Sequence, residues 1–265
     1  MTEHPSAPNW EDIGLALRPG RSPSLWRTFC DDLNRTWLSR RLADRRWRAA
    51  LKTDAFDEAA GEGVHTQLRD AANWTCWMDA SESMCRLARG RYPGLAAAAC
   101  NARRLPFAAG AFDLVVSIST LDHFESVGDL EGALGCLYRV MQPAGCLLLT
   151  LDNLDNPLVR LRNALPWRLL NRFRLVPYPV GATVGAAELR RLLGRAGFEV
   201  REMTTLLHVP RAPAVALAAA LSGAGASRLA RLFRRTCMSF EVLGRLPTSR
   251  WTANYIAVTA TKPPQ

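Results

Sequence analysis

Four stretches place acidic, small or basic side chains where a chain can hold and act on a ligand. Phe56–Gly63 reads FDEAAGEG, with Asp57 expected to end a strand and a small-residue turn carrying Gly61 and Gly63 leading into a helix. Small residues let a backbone approach a ligand closely, and the first N–H groups of a helix present a positive end. Asp79 ends the run WTCWMD, 22 residues after Asp57. A carboxylate at that spacing, at the end of the next strand, is placed to accept both hydroxyls of a ribose. It can equally cap the helix that begins near Ser81. Asn101–Asp113, NARRLPFAAGAFD, runs into an apolar stretch and then into STLDHF, residues 119–124. His123 there is a candidate general base, because an imidazole can take a proton near neutral pH. It can equally serve only to order its loop. Asp122, Asp152 and Asn153 fall at strand ends on the same side and are candidates for contacts to a second, reacting ligand.

The elements that must hold these residues can be read from the apolar pattern. Leu25, Trp26, Phe29, Leu33, Trp37, Leu38 and Leu42 recur at helical spacing after Ser24, a residue suited to cap a helix reaching about Arg46. Strands are expected at 49–57, 74–79, 95–101, 111–119, 146–152, 198–207 and 252–262. Helices are expected from 61, over 81–92, over 129–141 with PAG at 143–145 as the stop, and over 186–197, closed by Gly197. The run AFDLVVSIS is apolar and β-branched throughout, as a parallel strand covered on both faces should be. Strand–helix alternation of this kind predicts an α/β fold, a doubly wound and mostly parallel seven-stranded Rossmann-like sheet. Residues 1–48 read as an N-terminal tail and helix, the first 22 of them rich in Pro, Gly and Ser and expected to be poorly ordered. Residues 49–265 read as the main domain, with cap insertions at about 153–182 and 209–240.

Composition narrows the classes. Apolar residues make up 48% and charged residues 22% of 265, an ordinary balance for a soluble globular chain that excludes collagen-like, coiled-coil and disordered classes. The net charge is +10, carried almost wholly by arginine, since Lys52 and Lys262 are the two lysines. That balance admits a nucleic-acid or membrane-surface role, but an arginine-rich proteome accounts for it as well. No nucleic-acid partner is expected, because neither insertion has the aromatic spacing of a base-stacking platform. Seven scattered cysteines without a CxxC pair fit a reducing cytoplasm, with no disulfide framework and no metal site. The first residues lack the apolar stretch of a signal peptide.

The block LPF…FD, followed by LDH and then by RVMQPAGCLLLT, resembles class I S-adenosylmethionine-dependent methyltransferases with a methyltransferase type 11-like domain. The likeness spans roughly residues 50–152 and returns in AELRRLLGRAGFEV at 187–200. It implies S-adenosyl-L-methionine as cofactor, bound by Asp57, Gly61, Gly63, Asp79, Ala80, Asn101, Ala102 and Ser117. It also implies in-line transfer of the methyl group to an acceptor, for which the added segments suggest a small molecule or a lipid-like compound. Trp167 and Phe173 in the first insertion are candidates to line the acceptor's side. That segment interleaves leucines with five arginines, which fits either a lid with a solvated arginine face or a peripheral membrane contact. Ala59, Asn101 and Ala144 depart from the family's pattern, and Lys52, Thr53 and Asp54 put polar groups where a buried strand is expected. A catalytically weak cofactor-binding homologue with a regulatory or scaffold role is therefore the alternative. A nicotinamide-dependent reading lacks the closing glycine of its turn, where Thr66 stands, and any Tyr-x-x-x-Lys pair.

Overall fold

Strand β4, Phe112–Ile118, is buried along its whole length, as the sequence requires of its β-branched run. In this computed structural model, which describes residues 9–16, 23–43, 45–166, 170, 172, 181–221 and 228–264, β4 sits at the middle of a seven-stranded sheet. The strands in chain order are β1 Trp47–Lys52, β2 Ala72–Asp79, β3 Ala96–Ala99, β4, β5 Met141–Asp152, β6 Glu199–Leu206 and β7 Tyr255–Thr261. Their order across the sheet is β3-β2-β1-β4-β5-β7-β6. The first five pair in parallel, and β7 enters antiparallel between β5 and β6.

The helices are α1 Trp10–Ala16, α2 Leu25–Leu42, α3 Phe56–Ala60, α4 His65–Ala71, α5 Glu82–Arg91, α6 Val127–Val140, α7 Pro157–Ala164, α8 Ala186–Arg195, α9 Arg211–Ala220, α10 Arg228–Ser239 and α11 Ser249–Thr252. Side chains alternate along each strand, so the sheet has two apolar faces. Leu114, Val116 and Leu148 meet Phe29, Leu33 and Leu38 of α2 on one face. Val115, Leu147 and Leu149 meet Leu130 and Leu134 of α6 and Leu189 and Leu193 of α8 on the other. The segment expected to precede the domain, 1–48, thus supplies one side of its core.

Several boundaries move for local reasons. Ser24 caps α2 as expected, accepting from the Arg27 N–H at 3.1 Å, but the helix stops at Leu42 because the chain must turn into β1. β1 ends at Lys52, so Asp57 stands in α3 and does not end a strand. The stretch PAG is not the stop of α6, because that helix ends at Val140 and residues 141–145 already belong to β5, with Ala144 at φ 58°. Part of the expected loose tail is a docked helix, α1. Its Gly14 lies so close to Ser81 that an added Cβ would stand 2.7 Å from that hydroxyl oxygen.

Gly197 closes α8 at φ +97°, and an added Cβ there would lie 2.8 Å from the Tyr138 ring, which itself packs edge-on against Phe198. Gly197→Ala combines a disfavoured backbone with overpacking. It should cost about 1–3 kcal/mol, read as a lower urea midpoint with an unchanged slope.

Candidate active site

Strand order reverses between β1 and β4, and ligands of open α/β sheets bind outside the carboxyl ends of the strands at such a point. The loop leaving β1 is organised by charge. Lys52 is fully buried, and its ammonium reaches Asp54 Oδ1 at 2.9 Å, Glu58 Oε2 at 3.1 Å and Asp57 Oδ2 at 3.7 Å. Asp57 also takes Arg27 Nη1 of α2 at 2.8 Å, and Arg27 Nε donates to Asp31 at 3.0 Å. Asp31 in turn accepts the N–H groups of Glu62 and Gly63, and Glu58 Oε1 accepts from Val64 N–H. Burial, the largest effect, pushes the Glu58 carboxyl up to about 7 against the pull of Lys52. At Asp57, Arg27 and Lys52 outweigh the same burial and hold the carboxyl below its ordinary range.

This cluster corrects part of the site expected from the sequence. An added Cβ on Gly61 would meet the Asp31 carboxylate, and one on Gly63 would meet that of Glu58. These glycines make room for the chain's own carboxylates, and Asp57 is spent on Arg27 and Lys52. The part of the loop that touches the ends of β2 and β4 is Thr53–Ala55, earlier in the chain. The Thr53 hydroxyl lies 3.0 Å from those of Ser117 and Thr120, and the Thr120 hydroxyl donates to Asp54 Oδ2 at 3.0 Å. Ser117 is fully buried in that chain of hydroxyls, so it braces the two strands and does not face a ligand.

At the end of β2, the capping role that the sequence offered to Asp79 falls to Ser81. Ser81 caps α5 through the Met84 N–H at 3.1 Å. Asp79 accepts one N–H on each oxygen, from Ala55 at 3.0 Å and Ser81 at 2.8 Å. Each oxygen keeps a second acceptor site. Burial raises this carboxyl to about 6, although both N–H groups pull it down. Ala80 beside it is exposed, while at the end of β3 Asn101 is exposed and Ala102 buried. Asn101 Oδ1 accepts from the Arg103 N–H, which fixes the turn and leaves the amide NH₂ as the donor of that side chain.

Helix α1 joins the two sides of this edge. The Glu11 carboxylate accepts from the Ser81 hydroxyl at 2.7 Å, from the Ser83 N–H at 3.2 Å and from the Ser83 hydroxyl, and these hydrogen bonds hold it down to about 2. Next to it, Trp10 meets the His123 ring edge-on, with centroids 4.8 Å apart. Sequence reasoning missed this contact, since an acid and a tryptophan in a Pro-rich stretch carry no periodicity.

On the other side of β4, Ser119 adopts φ 46°, a conformation that stores strain for a residue other than glycine. It directs its hydroxyl to Asp122 Oδ2 at 3.0 Å, and the same oxygen accepts the Asp152 N–H at 3.0 Å. Asp122 Oδ1 is buried with no hydrogen-bond partner among the described residues. Burial raises the Asp122 carboxyl, His123 lowers it and Asp152 raises it further. Asp152 carries Arg162 Nη2 at 2.5 Å, and Arg211 approaches its other oxygen at 3.8 Å. The structure therefore gathers Asp122, His123 and Asp152. It assigns Asn153 differently: this fully buried amide donates to Arg250 O and Ala253 O and accepts from Asp155 N–H, which uses it to hold the cap. Both ends of the first insertion sit at this edge, with Thr183 Oγ1 donating to Asp152 O and Gly181 packed against the backbone of Asp122 and His123. Trp167 and Phe173 lie outside the described residues.

The family model described as a methyltransferase domain matches residues 57–149, a span that starts within the lysine-centred cluster, at Asp57. The chain is 28% identical over 163 residues to a "Probable S-adenosylmethionine-dependent methyltransferase" of Mycolicibacterium smegmatis, covering 58% of this chain and 55% of that relative's length. It is 24% identical over 199 residues to the ubiquinone/menaquinone biosynthesis C-methyltransferase UbiE of Nitrosospira multiformis, covering 69% of this chain and 77% of that protein. Among solved structures it resembles the N-methyltransferase NodS of Bradyrhizobium japonicum in complex with S-adenosyl-L-homocysteine, with a TM-score of 0.57, 12% identity, and 96% and 97% of the two chains covered. Sheet order and these likenesses agree: residues 57–149 match a methyltransferase domain, in a chain that resembles S-adenosylmethionine-dependent methyltransferases and shares the fold of a solved N-methyltransferase.

Proposed function

We propose that the protein transfers a methyl group from S-adenosylmethionine to a small-molecule or lipid-like acceptor at the carboxyl edge of the sheet. The observation that carries this reading is Asp79, a buried carboxylate at the end of β2 with an open acceptor site on each oxygen. Two ribose hydroxyls fit that capacity, while Asn101 and Ala102 at the end of β3 offer an amide and a small apolar surface to a base. When bound, the cofactor supplies a methyl group on a positively charged sulfur. The chain supplies placement, exclusion of water and a charge balance. Lys52 and Arg27 face four carboxylates, Asp31, Asp54, Asp57 and Glu58, so the loop holds surplus negative charge suited to a cationic donor. Helix α1 covers the edge from Ser81 to His123.

On the acceptor side, His123 takes the proton of a hydroxyl acceptor, with Asp122 beside it to stabilise the imidazolium. Arg162 and Arg211 at Asp152 add positive charge around the acceptor, and Trp167 and Phe173 remain the candidates that the sequence offers for its lining. The relative named for ubiquinone and menaquinone biosynthesis lends support to a lipid-like acceptor. No helix among the described residues is long and apolar enough to cross a membrane, and we assign the protein to the cytoplasm, with a membrane contact at its periphery. The second reading, a cofactor-binding homologue without transfer, draws on the replacement of a glycine-lined turn by the lysine-centred cluster.

Calorimetry with S-adenosylhomocysteine separates these readings from an unrelated role, since both require binding. Asp79→Ala should weaken binding about tenfold or more, because it leaves the ribose hydroxyls without their acceptor. Wild-type affinity should also fall as pH drops through about 6, where Asp79 takes up a proton and its charge is lost. An affinity flat from pH 7 to about 5 contradicts the ribose role. For transfer itself, the labelled methyl group should appear in a lipid or small-molecule fraction of the source organism's extract. His123→Gln should slow that labelling while leaving S-adenosylhomocysteine affinity unchanged. Binding without any labelled product selects the second reading.

A further inference from the structure

Residues 228–252 carry an exposed surface that is both apolar and basic. Helix α10 buries Ala230, Phe233 and Cys237 against the body of the protein, and Arg234 ties it to Asp32 of α2. Its outer side nevertheless holds Leu229 and Leu232 at 57% and 60% exposure, interleaved with exposed Arg228, Arg231 and Arg235. The next elements repeat the pattern. Val242, Leu246 and Trp251 are exposed along residues 240–252, beside exposed Arg245 and Arg250. From residue 203 to the end of the sequence there are eight basic side chains and one acid, Glu241. That carboxylate is turned away from the surface, accepting the N–H groups of Leu207 and His208.

We infer that this face of α10, the turn after it and α11 docks on an anionic lipid surface. The argument is charge complementarity joined to apolar shape. The exposed guanidinium groups of Arg228, Arg235, Arg245 and Arg250 attract lipid phosphates, and leucine, valine and tryptophan side chains between them enter the boundary of the acyl chains. A nucleic acid would use the arginines but has no place for branched aliphatic side chains at half exposure. The surface is also joined to the acceptor side of the site. The Asn153 amide donates to Arg250 O and Ala253 O, and Asn156 Nδ2 to Ala253 O, so α11 is fixed to the strand end that carries Asp152. A docked protein holds that end of the sheet near the bilayer, within reach of an acceptor dissolved in it. The docking itself does not depend on methyl transfer.

Flotation with phosphatidylcholine vesicles, and with vesicles that also contain phosphatidylglycerol, tests the inference on the full chain without methyl donor. The wild type should float with the anionic vesicles, stay behind with the neutral ones, and be released by added salt. Arg228→Gln with Arg235→Gln, and separately Leu229→Gln with Leu232→Gln, should each lower the bound fraction about tenfold or more. All four side chains are solvent-exposed, and S-adenosylhomocysteine binding reports that each variant is folded. No flotation at low salt overturns the inference. So does flotation that both variant pairs leave intact, and so does a surface that only self-associates, seen as a dimer in light scattering without vesicle binding.

Discussion

A single ammonium group holds the ligand-binding edge together. Lys52 occupies the last position of β1, where the chain must leave the sheet, and it is surrounded by Asp54, Asp57 and Glu58. Removing a charge from water costs several kcal/mol, which is returned only when the partners are close and their remaining oxygens are also bonded. Here they are. Glu58 accepts Val64 N–H, Asp54 accepts the Thr120 hydroxyl, and Asp57 is completed by Arg27 from α2. The cluster does with side chains what a glycine-rich turn does with bare backbone. It sets the path from β1 to α4 and joins it to a helix on one face of the core.

That constraint propagates outward. With Thr53–Ala55 fixed, Ala55 N–H orients Asp79, and Thr120, just past the end of β4, is tied to Asp54. The strained Ser119 then aims at Asp122, and Asp122 in turn holds the backbone of Asp152. The ends of β2, β4 and β5 are thus joined through one series of hydrogen bonds. The caps are added to this series: Glu11 bonds the start of α5, Gly181 lies against the turn at Asp122 and His123, and Asn153 fixes α11.

The fold was legible in the sequence because its strands are apolar runs between sharp stops. AFDLVVSIS and CLLLTLD could be little else, and Ser24, Ser81 and Gly197 mark helix ends by chemistry that is local. The place of Asp79 at the end of β2 was legible for the same reason. The reading failed where long-range charge decided. Taking Asp57 as the acid that ends β1 followed the spacing of small residues, while the true end of the strand is Lys52, whose burial Asp54, Asp57 and Glu58 together make tolerable. Gly61 and Gly63 were read as room for a ligand because a sequence does not show that Asp31, some 30 residues away, and Glu58 fill that room. Asn153, placed correctly at the end of β5, gives no sign in sequence that residues near 250 consume its amide.

Urea unfolding of Lys52→Met beside the wild type, each with and without S-adenosylhomocysteine, tests the central claim most directly. Methionine keeps the length and volume of the stem and removes the charge. The account predicts a loss of about 3–5 kcal/mol from stranding the buried carboxylates, together with loss of the stabilisation by ligand seen in the wild type. A variant within about 0.5 kcal/mol of the wild type, still stabilised by the ligand to the same degree, would show that the loop does not depend on this charge.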